Sequence, residues 1–154
     1  MSAAKQFAIF LVVAVIAVVG YGYFMQSQRT APDLSDHAGQ TITVAGVPVR
    51  AEVVSTEASR QQGLSGRDAL APNTGMLFVF ESDGRWGFWM KDMKFGIDIV
   101  WVAADGTVVT IAKDVSPDTY PSVLYPTGSA RYVVELPAGF ADAHNLAEGQ
   151  KIVI

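Results

Sequence analysis

The sequence predicts a mainly β fold of the α+β type: a small antiparallel sheet or partly closed β-barrel with one or two short helices, preceded by an N-terminal transmembrane helix. Three observations carry this expectation. Short runs of β-branched and aromatic residues, separated by Gly, Pro, Asp and Ser, recur from Thr41 to the C terminus. Stretches with a helical period are brief and few. Residues 7–25, FAIFLVVAVIAVVGYGYFM, hold no charge, and as a helix they reach about 28 Å, close to the roughly 30 Å of a bilayer core.

The N-terminal segment reads as an uncleaved signal anchor over residues 1–25. It ends in Tyr21, Tyr23 and Phe24, which suit interfacial depth, instead of in a small-residue cleavage site. Lys5 and the amino terminus lie on one side, and Arg29, Asp33 and Asp36 on the other. This bias predicts a single pass of the cytoplasmic membrane with the globular domain facing the periplasm or exterior. Residues 26–40, QSQRTAPDLSDHAGQ, are polar, hold Pro32 and show no apolar period, so they read as a flexible tether. Residues 41–154 form the globular domain.

Within that domain TITVAGVPVRAEVVS gives two runs broken at Ala45-Gly46. In the second, Val47, Val49, Ala51 and Val53 alternate with Arg50 and Glu52, the pattern of a half-buried strand. Thr56 before Glu57 offers an N-cap, and Gly63 a stop, for a helix of at most two turns. MLFVF, residues 76–80, is a continuous apolar run expected to be buried on both faces. Asp105-Gly106 between β-branched runs is the strongest hairpin signal and suits a type I′ turn. ARYVVELP (130–137) and QKIVI (150–154) complete about eight strand candidates, with a second short helix over 138–146.

Composition removes several function classes. There is no cysteine, so disulfides, thiolate nucleophiles and zinc–cysteine sites are out. Only His37 and His144 are present and neither sits in a cluster of carboxylates, so no metal site and no cofactor is expected. Residues 26–154 carry ten Lys and Arg against fifteen Asp and Glu, with no basic run, which argues against a nucleic-acid partner. GLSGR lacks the spacing of a nucleophile elbow, and there is no phosphate loop, dinucleotide fingerprint or calcium loop. No catalytic residue is assigned, and the chain is read as more a binding module than an enzyme.

The densest chemistry lies in RWGFWMKDMKFGIDIVW, residues 85–101, which holds all three tryptophans. Period two places Trp86, Phe88 and Met90 on one face and Gly87, Trp89 and Lys91 on the other, with a turn near Asp92 to Gly96 before a second strand. Arg131, Val133 and Glu135 share a face, as do Asp98, Val100 and Val102, with Ile99 and Trp101 opposite. Trp101 reads as core and Trp86 as a surface-loop aromatic. Charges at Arg60, Lys91, Asp98, Arg131 and Glu135 among apolar neighbours must be solvated, paired or used. Three readings stay open. In the first, the charges only form ion pairs, Asp98 or Glu135 with Arg60, Arg131 or Lys91, in a structural domain. In the second, Trp89 and Lys91 with an arginine form a shallow pocket for a small anionic ligand, a peptide or an envelope protein. In the third, Asp98 and Glu135 are the carboxylate pair of an envelope- or carbohydrate-directed hydrolase. The proline-rich segment 114–130 is a candidate lid or partner contact.

The series RQQGLSGR, GMLFVF, FWMKDMKFGIDIVWV followed by ADG, ARYVVELPAG and AEGQKIVI resembles the Domain of Unknown Function 192 family, over roughly residues 45–154. Arg60, Gly63-Leu64, Gly75-Met76-Leu77-Phe78, Phe88-Trp89-Met90-Lys91, Asp98 and Glu135-Leu136 carry it in that order. The family pattern commonly has Asn-Thr where this chain has Asp92-Met93, and Pro-Leu-Asp where it has Gly96-Ile97-Asp98. The resemblance implies a small β-rich domain, often behind a signal or anchor segment, and no established reaction.

Overall fold

The structure, a computed structural model, describes residues 39–154. The expected membrane helix over 1–25 and most of the tether lie outside these residues; among the described ones no helix is long and apolar enough to cross a membrane. Six strands form one sheet: β1 (Gly39–Val44), β2 (Val47–Val54), β3 (Thr74–Gly84), β4 (Ile97–Val102), β5 (Val108–Val115) and β6 (Ala130–Pro137), in the order β1-β2-β3-β6-β4-β5. Helix α1 (Glu57–Gln62) connects β2 to β3, and α2 (Phe140–Ala143) follows β6.

The expected antiparallel sheet or partly closed barrel is corrected in two respects. The sheet is mixed, because β2 and β3 run parallel while the other described neighbours run antiparallel. A parallel pair needs a long crossover, and residues 55–73, with α1 inside them, supply it. The sheet is also open, with β1 and β5 at its edges. The expected C-terminal strand 150–154 is reduced to isolated bridges, Lys151 with Thr107 and Val153 with Thr43, which do not close a barrel.

The turns exchange roles relative to expectation. The two-residue I′ geometry, with positive φ at both central positions, occurs at Ala45 (48°) and Gly46 (79°), between Val44 and its partner Val47. At Asp105-Gly106 only the glycine has positive φ (84°), and Gly106 N–H donates to the Ala103 carbonyl at 2.9 Å. That is a type I turn followed by a left-handed bulge glycine. The Asp105 carboxylate accepts from Thr107 N–H at 3.0 Å and from Lys151 Nζ at 2.6 Å, bonds that accompany this turn.

Both faces of the sheet are buried, β4 along its whole length. One face packs Ile42, Val49, Leu77, Val100, Val134 and Leu136 against Phe140 and Leu146. The other packs Met76, Phe78, Ile99, Trp101 and Val133 against Leu64, Phe88 and Met90. α1 forms as its sequence predicts: Thr56 Oγ1 accepts from Ser59 N–H, Ser59 Oγ accepts from Thr56 N–H, both at 3.2 Å, and Gly63 (φ 48°) ends the helix.

Candidate ligand-binding cleft

Residues 86–91, expected as a strand, are an extended strap with a single bridge, Phe88 to Leu124, at 2.9 and 2.8 Å. The strap is fixed instead by scattered bonds. Trp86 Nε1 donates to the Ala130 carbonyl at 3.0 Å, Trp101 Nε1 to the Trp86 carbonyl at 2.8 Å, and Ser65 Oγ to the Lys91 carbonyl at 2.9 Å. Gly87 lets Tyr125 and Val123 approach, since a Cβ there would sit 2.7 Å from the Tyr125 ring. Burial still alternates as the period predicts: Phe88 and Met90 are buried, while Trp89 is 51% exposed and Lys91 exposed. Alternation follows from extended backbone and does not need a sheet partner.

Between the strap, the C-terminal end of α1 and the sheet lies a cleft of about 410 Å³. Its walls are aromatic: Phe78, Phe80, Trp86, Phe88 and Trp89, with Leu64 and Met93. Phe88 meets Phe78 and Trp101 edge-to-face, at centroid distances of 4.8 and 5.9 Å. Trp86 stacks on Phe80 at 4.2 Å and 7°. That stack depends on a register break, because Val79 pairs with Tyr132 and Gly84 with Ala130, so residues 80–83 of β3 leave the ladder.

Glu135 lines the cleft from β6. It is 5% exposed and its Oε2 has no hydrogen-bond partner among the described residues. Burial pushes its carboxyl from the ordinary 4.5 up to about 8, against the opposing pull of Arg67. Arg67 cannot do more because it forms a two-pronged pair with Glu52, at 2.8 and 2.9 Å.

Of the six residues singled out from sequence, Arg60, Trp89 and Glu135 line this cleft. Arg60 is committed: its guanidinium lies 5.0 Å from the Phe80 centroid and donates to the Val79 carbonyl at 3.0 Å and to the Ser55 carbonyl. Lys91 stands outside, its Nζ 5.9 Å from the Trp89 ring. Arg131 pairs with Asp83 at 2.7 Å. Asp98 is fully buried on the opposite face, where it sits across from Leu136 while Glu135 sits across from Ile99. Its oxygens accept from Asp114 N–H at 2.7 Å, Gly139 N–H at 3.2 Å and Ala141 N–H at 2.7 Å.

Three expectations are thereby corrected. Asp98 and Glu135 share no cleft, so they are not the carboxylate pair of a hydrolase. Neither forms an ion pair with Arg60, Arg131 or Lys91, because Asp98 is satisfied by amides and both Arg60 and Arg131 are bound elsewhere. Trp86 is a wall of the cleft, not a surface-loop aromatic. Phe78, Phe80 and Phe88 went unassigned because a wall aromatic and a core aromatic share the same sequence pattern. Among the described residues no group of three His, Asp or Glu can hold a metal.

Fold and cleft together define a small α+β domain: an open, mixed six-stranded sheet with an aromatic cleft over one face around a buried acid. The chain belongs to the Domain of Unknown Function 192 family, described as "Uncharacterized ACR", whose profile matches residues 40–154. Solved structures that share the fold include two crystal structures. One, from Sinorhizobium meliloti 1021, described as a "putative transcription regulator", is 27% identical with a TM-score of 0.71, covering 76% of this chain and 94% of that one. The other, a protein of unknown function from Novosphingobium aromaticivorans DSM 12444, is 26% identical with a TM-score of 0.73, covering 81% and 91%. No curated protein matches the chain.

Proposed function

We propose that the chain is a membrane-tethered, extracytoplasmic binding domain that holds a small ligand in the aromatic cleft, with Trp86, Trp89 and Glu135 as its contacts and Lys91 at its rim. The observation that carries this reading is the pairing of an aromatic-walled space of about 410 Å³ with a buried carboxyl whose Oε2 has no partner among the described residues. Pockets of this size, walled by aromatic side chains with polar groups placed among them, are the usual form of small-molecule sites. A buried polar group left unpaired costs about 1–3 kcal/mol, so its retention next to an open cleft favours a use over an accident.

The tether and compartment rest on the uncharged stretch 7–25 and the charges flanking it. The acidic excess after residue 25 and the lack of a basic run oppose nucleic-acid binding, and with it a transcription-regulator role of the kind named for the Sinorhizobium protein. The purified full chain, in mild detergent, is screened against small molecules by thermal shift and tryptophan fluorescence. Ligands found this way lose affinity in Trp86→Ala and Trp89→Ala. If every such ligand binds both variants as it binds the parent, the cleft is not the site. Alkaline extraction of membranes leaves the chain in the pellet; its release into the supernatant removes the tether.

A further inference from the structure

We infer that the cleft is selective for an organic cation, a compact ammonium group bearing an apolar body, with Glu135 as the counter-charge and the aromatic side chains of Trp86, Phe88 and Trp89 among its walls. This rests on reading the cleft as a ligand site, and it replaces the small anion expected from Trp89 and Lys91. The charge inventory decides the sign. From the turn after α1, Arg67 faces Glu135 but is held on both prongs by Glu52 of β2. From α1, Arg60 is spent on two backbone carbonyls and the Phe80 face, and Glu57 adds a second acid to the lining. Beyond the cleft, Lys94 is paired with Asp68 at 2.7 Å, and Lys91 lies over Trp89. The β3 and β4 neighbours of Glu135 in the sheet, Met76 and Ile99, carry no charge. The lining therefore holds an uncommitted acid and no uncommitted base.

Aromatic faces present negative quadrupole density, which attracts cations and repels anions, most strongly when water is excluded. A carboxyl buried beside aromatic side chains is stable while it keeps its proton; an ammonium ion supplies the charge that lets it ionise. Binding then releases a proton to solvent, and affinity rises with pH until the carboxyl is ionised in the empty cleft. Since Glu135 titrates near 8 there, the rise runs through neutral pH and levels off above it.

The test uses the full chain in non-ionic detergent, with choline as the cation, 3,3-dimethylbutan-1-ol as its uncharged isostere and benzoate as an anion. Binding is followed by tryptophan fluorescence and by calorimetry in buffers of different ionisation enthalpy. Choline binds saturably and tightens by up to about tenfold per pH unit between roughly pH 6 and 8, with uptake by buffer of up to one proton per site. At pH 9 the isostere binds at least about tenfold more weakly than choline. Glu135→Gln loses both the pH dependence and the preference for the cation, while Trp89→Ala weakens binding but keeps the pH dependence. If Glu135→Gln does not fold, the pH profile and the isostere ratio of the parent decide alone. Equal binding of choline and its isostere, or a pH-independent choline affinity, overturns the cation and leaves the cleft as a site for another ligand. Preference for benzoate does the same. Silence of all three probes overturns the cation and counts against the cleft itself.

Discussion

Removing the Asp98 carboxylate unties two parts of the fold at once. Asp98 accepts from Asp114 where β5 bulges: Ile97 pairs with Val115 but Ile99 with Ala112, so one extra residue breaks the ladder. It also accepts from Gly139 and Ala141 at the start of α2, a helix with no side-chain cap of its own. Hydrogen bonds to a charged acceptor are worth roughly 1.5–3 kcal/mol each. The Ala141 amide is buried and stays unpaired after truncation, whereas Asp114 and Gly139 are exposed and their amides can turn to water. The bond to Gly139, at 3.2 Å, is also the longest. Weighted this way, Asp98→Ala costs about 3–5 kcal/mol, a large part of the roughly 5–15 kcal/mol that holds a domain. At about 4 °C per kcal/mol for a domain of this size, Tm falls by some 12–20 °C. Asp98→Asn keeps one oxygen but turns an amide N–H₂ toward a donor, and costs about 2–3 kcal/mol. Urea denaturation followed by tryptophan fluorescence and far-ultraviolet dichroism measures both variants. A loss below about 1 kcal/mol for Asp98→Ala refutes the capping role. Ligand affinity in folded Asp98→Asn stays at the parent value, since Asp98 faces away from the cleft; a large drop refutes the separation of roles.

Glu135 makes stability fall as pH rises. The folded protein keeps a proton up to about pH 8 that the unfolded chain releases near 4.5, so the contribution is whole below 4.5 and gone above about 8. Its upper bound is about 5 kcal/mol, and urea midpoints of Glu135→Gln show a flatter slope over this window than the parent. Arg67→Met removes the attraction that holds the carboxyl down, moving the Glu135 titration further up by NMR and removing the two-pronged pair that Arg67 makes with Glu52. In Gly75→Ala the new Cβ meets the Glu135 carbonyl at 2.7 Å and Leu136 Cδ2 at 3.2 Å, costing about 1–3 kcal/mol by denaturation. Trp101→Phe loses the 2.8 Å bond to the Trp86 carbonyl and part of a fully buried ring, costing about 3 kcal/mol and loosening the strap, which amide exchange at Phe88 reports.

What the sequence revealed depends on whether the deciding partner is a side chain with a recognisable pattern. β2 is legible because its alternation reports a half-buried strand, β4 and β6 because short apolar runs of strand length report burial on both faces, and α1 because Thr56 and Gly63 sit at its two ends. The partners of Asp98 are not, because its acceptor role is met by backbone N–H groups, which carry no residue identity. Nothing local in the sequence separates Arg67 from Arg60 and Arg131, because Glu52, on the far side of the crossover, meets it only in the folded chain. Asp105-Gly106 carries the I′ signature, yet the chain forms a different turn there, with only Gly106 at positive φ and Lys151 bound to the Asp105 carboxylate. The cleft was half visible. Alternation at 86–91 puts Trp89 and Lys91 on the face opposite Phe88 and Met90, and burial follows it, but alternation does not say that the buried aromatics leave a space between them.

The position of that space follows from the parallel pairing of β2 with β3. An antiparallel connection could be a tight turn at the sheet edge, whereas a parallel one must carry the chain back along the sheet, over one face. Residues 55–73 do this on the face of Phe78, Trp101 and Glu135, and Leu64 plugs into that core. The crossover covers part of the face and the strap 86–93 another part, and the two meet where Gly66 N–H donates to the Asp92 carbonyl at 2.9 Å and Ser65 Oγ to the Lys91 carbonyl. The cleft is the seam between two such covers. A sheet with a continuous helical layer on that face would bury Glu135 beneath it and exclude any ligand. A sheet with no crossover would leave the carboxyl in water, with an ordinary titration. The same connection that makes the sheet mixed thus places an acid close enough to the surface to be reached, and deep enough to hold its proton at neutral pH.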